Sequence, residues 1–224
     1  MQRIEVGVEN DHIQRITTAR PLIAIAELIW NAYDADASIV RVKLQKGTLT
    51  NLGAIRVIDN GTGIPFDQAT EFFRKLGGSW KKYANKTIGG RIVHGERGQG
   101  RFKAFALGQN VSWTSDHDGR RFTISGSKGD LKNFTISDPV SSHEKGCIVL
   151  ITDIVKDFKI WASDGFADRV RDVFALQLFH NANFQIIYDD VELDARESIS
   201  SVTPVPINVL YEGQSYSAEL EIVE

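Results

Sequence analysis

Apolar positions recur at helical spacing from Pro21 to Ala37. Leu22, Ile25, Ala26 and Ile29 fall on one side, and the proline sits where a first helical turn tolerates it. The texture then changes. Ser38–Leu44 and Ala54–Ile58 are rich in β-branched residues and predict strands. Phe66–Leu76 predicts a short helix, with Pro65 just ahead of it. Residues 77–97 show no periodicity, and a stretch that long inside a compact domain is commonly a functional lid. Gly100–Leu107 is helical again. Asn110–Ser115, Arg121–Ser125, Asn133–Ser137 and Cys147–Asp153 alternate or carry β-branched residues between glycine-containing turns, which predicts an antiparallel run. Asp164–His180 returns to helical spacing through Phe166, Val170, Val173, Phe174 and Leu178, and Phe184–Tyr188 predicts one more strand.

The chain changes character again near Ile199. Val202, Val205, Ile207, Val209 and Tyr211 predict a strand, and Tyr216–Val223 another. We therefore expect residues 1–198 to form one domain, with a second, transducer-like domain starting at 199 and truncated at 224. A terminal hairpin completing the first domain is the alternative. Hydrophobic residues are 42% and charged residues 25% of the 224, which excludes wholesale disorder and leaves enough chain for a proper core. The net charge of −3 gives no global attraction to nucleic acid. One cysteine, Cys147, cannot form an internal bridge and suggests a reducing compartment. No apolar run approaches the roughly 18 residues of a membrane span, and MQRIEVGVEND has no apolar signal region. The expectation is a cytoplasmic protein, or a nuclear one in a eukaryote.

Ten of the 19 glycines fall between Gly61 and Gly108, and there the chemistry concentrates. Three motifs stand out. Glu27, Asn31 and Asp34 lie at i, i+4 and i+7, within roughly 60° of one another on a helix face. Their neighbours Ile25, Ala26, Leu28, Ile29 and Trp30 are apolar. A polar stripe there faces a ligand, or else it is the solvated side of a surface helix. Next, the strand Ile55–Ile58 delivers Asp59 into Asn60-Gly61-Thr62-Gly63. A carboxylate accepts hydrogen bonds, so Asp59 suits an exocyclic amino group such as that of adenine, and Gly63 would let a flat ring approach. An ordinary Asp-Asn-Gly turn is the plainer account. Third, Gly95-Glu96-Arg97-Gly98-Gln99-Gly100-Arg101-Phe102-Lys103 is a glycine-rich loop opening a helix, whose N–H groups can cradle phosphate with charge from Arg101 or Lys103. It lacks the Gly-Lys-Ser/Thr ending of a P-loop.

The order of the three motifs resembles the GHKL ATPase superfamily: gyrase B subunits, large heat-shock chaperone ATPases, sensor histidine kinases, MutL mismatch-repair proteins and MORC proteins. The resemblance runs from about Leu22 to Asp153. It implies the Bergerat fold, an α/β (α+β) two-layer sandwich of a mixed, mostly antiparallel sheet with helices on one face. It also implies ATP and Mg²⁺ as ligands, slow hydrolysis to ADP and phosphate, lid closure, and an ATP-dependent homodimer. Nucleic acid or a protein client would engage the rest of a larger protein. Glu27 matches the general base and Asn31 the Mg²⁺ ligand, and one Asn suffices because magnesium fills its shell with phosphate and water. Asp34 matches the polar residue beside them. Asp59 matches the adenine reader, with Gly61 and Gly63 beside the base. Gly98, Gln99, Gly100, Arg101, Phe102 and Lys103 match the phosphate loop. Ser79 and Lys81, in a lid segment similar to MORC-like and chaperone-like members, complete the expected nucleotide contacts.

Glu27 points to the hydrolysing branch, because the sensor kinases generally lack an acid here, and His12 is the only histidine before Pro21. There are two departures from the pattern. The late-strand Gly-Thr reads Gly146-Cys147, and a thiol is a poorer donor than a hydroxyl. Cys147 then makes a weaker adenine contact, or Thr152 replaces it. No lysine follows Ile187, where gyrase- and MutL-type members place a catalytic one on the next domain. The rivals are a nucleotide switch that does not hydrolyse ATP and a protein kinase of the same fold. The histidines have no metal-ligand spacing, with His94 a solvated lid residue and His117 and Asp118 in a turn. Lys81, Lys82 and Lys86 read as a solvated face, and Trp113 and Trp161 as core residues.

Overall fold

The computed structural model describes residues 2–5, 17–47, 52–74, 86–94, 100–155 and 165–224. Its strands are β1 (Gln2–Glu5), β2 (Ile39–Lys46), β3 (Leu52–Asp59), β4 (Gly108–His117), β5 (Arg120–Ser127), β6 (Asp130–Ile136), β7 (Val140–Ser141), β8 (Gly146–Ile154), β9 (Gln185–Tyr188), β10 (Val191–Glu192), β11 (Val202–Tyr211) and β12 (Gln214–Val223). The helices are α1 (Pro21–Asp34), α2 (Phe66–Arg74) and α3 (Phe166–His180), with a 3₁₀ segment at Gly100–Ala106.

The main sheet runs β1-β6-β5-β4-β8-β3-β2-β9-β10, with β7 beside β5. Among the described pairs only β2 and β9 are parallel, so the sheet is mixed and mostly antiparallel as expected. Two-residue turns join several neighbours. Asp118 and Gly119 between β4 and β5 both have positive φ, 46° and 74°, the backbone that suits a right-twisted hairpin.

One sheet face carries the core. Along β4 and β8, Val111, Trp113, Ser115, Val149 and Ile151 are buried, while Ser112, Thr114 and Leu150 between them are partly exposed. The helices cover the buried face. Phe73 of α2 meets Trp113 and Phe134 edge-on, with centroids at 5.0 and 5.5 Å, so Trp113 is a core residue. Trp30 of α1 packs on Phe174 of α3 at 4.6 Å. This is the two-layer sandwich that the motifs imply.

Helix α1 ends at Asp34, three residues before the predicted limit. Asp36 adopts a left-handed φ of 57°, which turns the chain out of the helix. The predicted helix at Gly100–Leu107 is a 3₁₀ turn instead. Strands β11 and β12 form a separate, exposed hairpin. His180 meets Glu221 of the hairpin at 2.8 Å. No helix among the described residues is long and apolar enough to cross a membrane.

Candidate functional site: two ends of one helix

One end is built on the end of β3. Asp59 lies opposite Cys147 of β8 in the sheet register, and Cys147 in turn lies opposite Ser115 of β4. The Asp59 carboxylate accepts the Gly61 N–H at 2.8 Å and the Cys147 N–H. Burial nonetheless outweighs these donors and pushes its pKa up from 3.8 to about 6. A carboxylate under that penalty gains by accepting one more good donor. Burial also pushes the Cys147 thiol well up, with the charges of Asp59 and Asp116 adding to it, so the group is a neutral thiol.

The loop after Asp59 is fixed from three sides. The Asn60 side chain accepts from the N–H groups of Ser38 and Ile39, both at 2.9 Å, and donates to Ser38 Oγ at 2.8 Å. Thr62 N–H bonds the Ala35 carbonyl at the end of α1 at 2.8 Å. Gly61 packs against that same carbonyl, 2.6 Å from where a Cβ would stand. Gly63 has φ 72° and a Cβ position 2.5 Å from the Asp116 carbonyl, so neither space nor backbone admits a side chain. The fully buried Ser115 accepts from Ile64 N–H at 2.6 Å and donates to its carbonyl at 3.1 Å. Sequence reasoning missed Ser115, because a serine in a strand carries no signal until its register beside Cys147 is known.

The other end lies about two helical turns back along α1, roughly 12 Å at 1.5 Å per residue. Glu27 and Asn31 are on the face that meets the 3₁₀ segment. Lys103 donates to Glu27 Oε1, and the two side chains are about three-quarters buried, at 24% and 27% exposure. A Cβ on Gly100 would collide with Glu27 Oε2 and lie 3.6 Å from Asn31 Nδ2. Glu27, Asn31, Gly100 and Lys103 are thus brought together, and glycine at position 100 is what permits it.

The remaining expected site residues lie elsewhere. Asp34 is buried and accepts the His94 N–H at 2.9 Å, and the His94 ring stacks on Trp30 at 3.7 Å. Asp34 therefore ties the backbone at residue 94 to α1. Arg91 supports the same anchor by donating to the Tyr33 and Ala37 carbonyls at 3.2 and 2.7 Å. Arg101 turns away to the Phe72 carbonyl, between the rings of Phe73 and Phe102, and burial pulls its guanidinium down to about 10. Phe102 is 2% exposed within that aromatic cluster. Thr152 is five residues along β8 from Cys147 and so faces the opposite side of the sheet, beside Asn110 and Ser112. It is not brought near Asp59. His117 ends β4 and donates from Nδ1 to the Thr62 carbonyl at 2.6 Å. Ser79, Lys81, Gly98, Gln99, His12, Lys82 and Trp161 lie outside the described residues.

A family model described as histidine kinase-, DNA gyrase B- and HSP90-like ATPase matches residues 19–148, and the chain belongs to that GHKL-type family. It is similar to a protein named "Putative type II restriction enzyme HgiDII" of Herpetosiphon aurantiacus, 29% identical over 112 residues, covering 50% of this chain and 17% of that one. It is also similar to the DNA mismatch repair protein MutL of Agathobacter rectalis, 31% identical over 123 residues, covering 54% and 18%. With MutL of Shouchella clausii it shares 24% identity over 155 residues, covering 69% and 22%. The matched stretch spans about a fifth of each relative's length. ATP-related activity follows from membership of the family.

Proposed function

We propose that this domain binds ATP with Mg²⁺ and hydrolyses it slowly to ADP and phosphate. Asp59 would accept from the exocyclic amino group of adenine, while Gly61 and Gly63 give the ring access to the loop. The donor set fits a magnesium held mainly by the nucleotide: Asn31, whose side-chain amide lies against Gly100 beside Glu27, would supply one side-chain oxygen. The metal would neutralise phosphate charge. The observation that carries the reading is the convergence of Glu27, Asn31, Gly100 and Lys103 in line with the Asp59 loop along one helix.

In the reaction Glu27 orients a water and takes its proton. The water oxygen bonds to the γ-phosphorus as the bond from that phosphorus to the β-bridging oxygen breaks, and ADP carries away the electron pair. Closure of the lid and pairing of two such domains would follow nucleotide binding. Residues 199–224 would belong to a following, transducer-like unit. Two relatives are named for DNA mismatch repair, which favours a DNA-directed output for a larger protein containing this domain.

The test is release of labelled phosphate from γ-labelled ATP by the wild-type chain and by Glu27→Ala. Removing a general base should lower turnover by about a hundredfold or more, with nucleotide binding kept. Label on the protein instead of free phosphate would make it a kinase. One observation favours a non-hydrolysing switch: Lys103 occupies Oε1 of the base. Equal phosphate release from both proteins would select that second reading.

A further inference from the structure

We propose that Lys103 is a two-position counter-charge, which holds Glu27 when no triphosphate is present and releases it by transferring to the terminal phosphate of ATP. The proposal rests on the hydrolytic reading above and adds to it a reason for the site to tell ATP from ADP.

The ion pair is the starting observation. Glu27 Oε1 is engaged by the Lys103 ammonium, and Oε2 is closed on one side by the Gly100 backbone. A carboxylate held this way is not open to take a proton from water. Both side chains keep about a quarter of their surface exposed, so the pair can be reached from solvent. A terminal phosphoryl group carries more charge than one carboxylate and offers three acceptor oxygens. The lysine ammonium is a point charge on a flexible stem that can swing between two acceptors without a fixed geometry. Among the described residues, the other cation of this segment is committed elsewhere, since Arg101 donates to the Phe72 carbonyl between two phenyl rings.

Position along the helix supplies the selectivity. The Asp59 loop packs on the carbonyl of Ala35, and Glu27 lies about two turns away. A nucleotide seated at Asp59 therefore approaches Lys103 with its last phosphate. A diphosphate ends one group short, leaves the pair intact, and leaves Glu27 blocked. The chain would then carry in its own phosphate segment the cation that its relatives in the superfamily draw from a following domain.

The test is calorimetric titration with Mg²⁺ plus either ADP or the non-hydrolysable β,γ-imido analogue of ATP. The proteins are wild type, Lys103→Met, Lys103→Arg, Glu27→Gln and the Glu27→Gln/Lys103→Met double variant. Lys103→Met should lose about tenfold in affinity for the imido analogue and be unchanged for ADP, and Lys103→Arg should retain most of it. Glu27→Gln frees the lysine and should bind the imido analogue several-fold more tightly, with no gain for ADP. That gain should vanish in the double variant. Equal loss of both nucleotides on Lys103→Met overturns the proposal while leaving the nucleotide site standing. So does a Glu27→Gln protein with no gain, or a gain that survives in the double variant. If wild type binds neither nucleotide, the reading beneath the proposal fails and the proposal with it.

Discussion

The two ends of the candidate site are built by different means. At the Asp59 end the parts are backbone and short side chains locked by backbone hydrogen bonds. Asp59 is held by Gly61 and Cys147, Ile64 by Ser115, and the Asn60 amide ties the loop to β2. At the Glu27 end the parts are long charged side chains on two helical segments, paired to one another and partly open to solvent. The first end is set when the protein folds and cannot adjust without unfolding its surroundings. The second can exchange partners while the backbone stays in place. A site that reads a flat, neutral base gains from the first kind, because a fixed acceptor loses no entropy on binding. A site that must respond to a phosphate gains from the second. Substitutions at the Asp59 end should therefore register in stability and in affinity for the base, and those at the Glu27 end in turnover and in the response to the terminal phosphate.

Gly146→Ala is the severest test of that division. Gly146 has φ 119°, and a Cβ there would collide with the Asp59 carbonyl and lie 2.9 Å from its carbon. Backbone cannot give way easily, so strain and overlap together should cost about 3 kcal/mol or more. Urea unfolding should place the midpoint well below wild type, with nucleotide binding lost as well. A variant of wild-type stability would mean that the Asp59 end is more yielding than its hydrogen bonds imply.

Asp59→Asn separates folding from function at the same end. In the native protein the Asp59 carboxyl keeps its proton up to about pH 6, whereas the unfolded chain releases it near 3.8. Between those values the native state binds more protons, so stability falls as pH rises through the window and stays lower above it. Below pH 3.8 nothing is lost. At about 1.4 kcal/mol per unit the wild type gives up on the order of 2–3 kcal/mol by pH 7. The Asn variant has no such slope. It should match wild type near pH 4, exceed it by about that amount at pH 7, and lose about a hundredfold in ATP affinity through the missing charged acceptor. Parallel pH–stability curves for the two proteins would sink the argument.

That pairing of cost and use also explains what the sequence discloses. Glu27, Asn31 and Asp59 stood out as candidates because a polar group on an apolar helix or strand is costly and calls for a reason. Strands such as β4, β5 and β8 were legible from their alternation, since each has one face in the core. What stayed hidden depends on contacts across the sheet. Thr152 was as plausible as Cys147 until the pleat placed it on the far face, and Ser115 gained its role only through register. Arg101 and Lys103 are two residues apart in a basic segment, yet one enters an aromatic cluster and the other meets Glu27. On either kind of helix residues two apart point well away from one another, so only one of the two can face α1, and which one does so is decided by packing that the sequence does not display.

Ser115→Ala sharpens the comparison with a smaller change. It removes the donor and acceptor that serve Ile64, leaving a partly buried N–H without its hydroxyl. The cost should be about 1–2 kcal/mol of stability. Adenine affinity should fall only as far as Gly63 and its neighbours lose their fixed place. A loss of affinity with stability intact would instead mean that the Ser115 hydroxyl itself faces the ligand.

Cys147→Thr asks the finest question, whether a side chain, and not only the backbone, matters at the Asp59 end. The thiol is neutral and a weak donor, and it stands opposite both Asp59 and Ser115 in the sheet. Threonine suits a strand and brings a full hydroxyl donor at nearly the same size. Stability should move by less than about 1 kcal/mol. Affinity for the imido analogue and for ADP should rise together, by about threefold to tenfold, because both carry the same base. An equal gain for the two nucleotides would place the new hydrogen bond at adenine and confirm that the cysteine weakens base recognition. A gain confined to the triphosphate would contradict the assignment of the two ends. No gain at all would mean that base reading here runs through Asp59 and backbone alone, and would overturn the prediction.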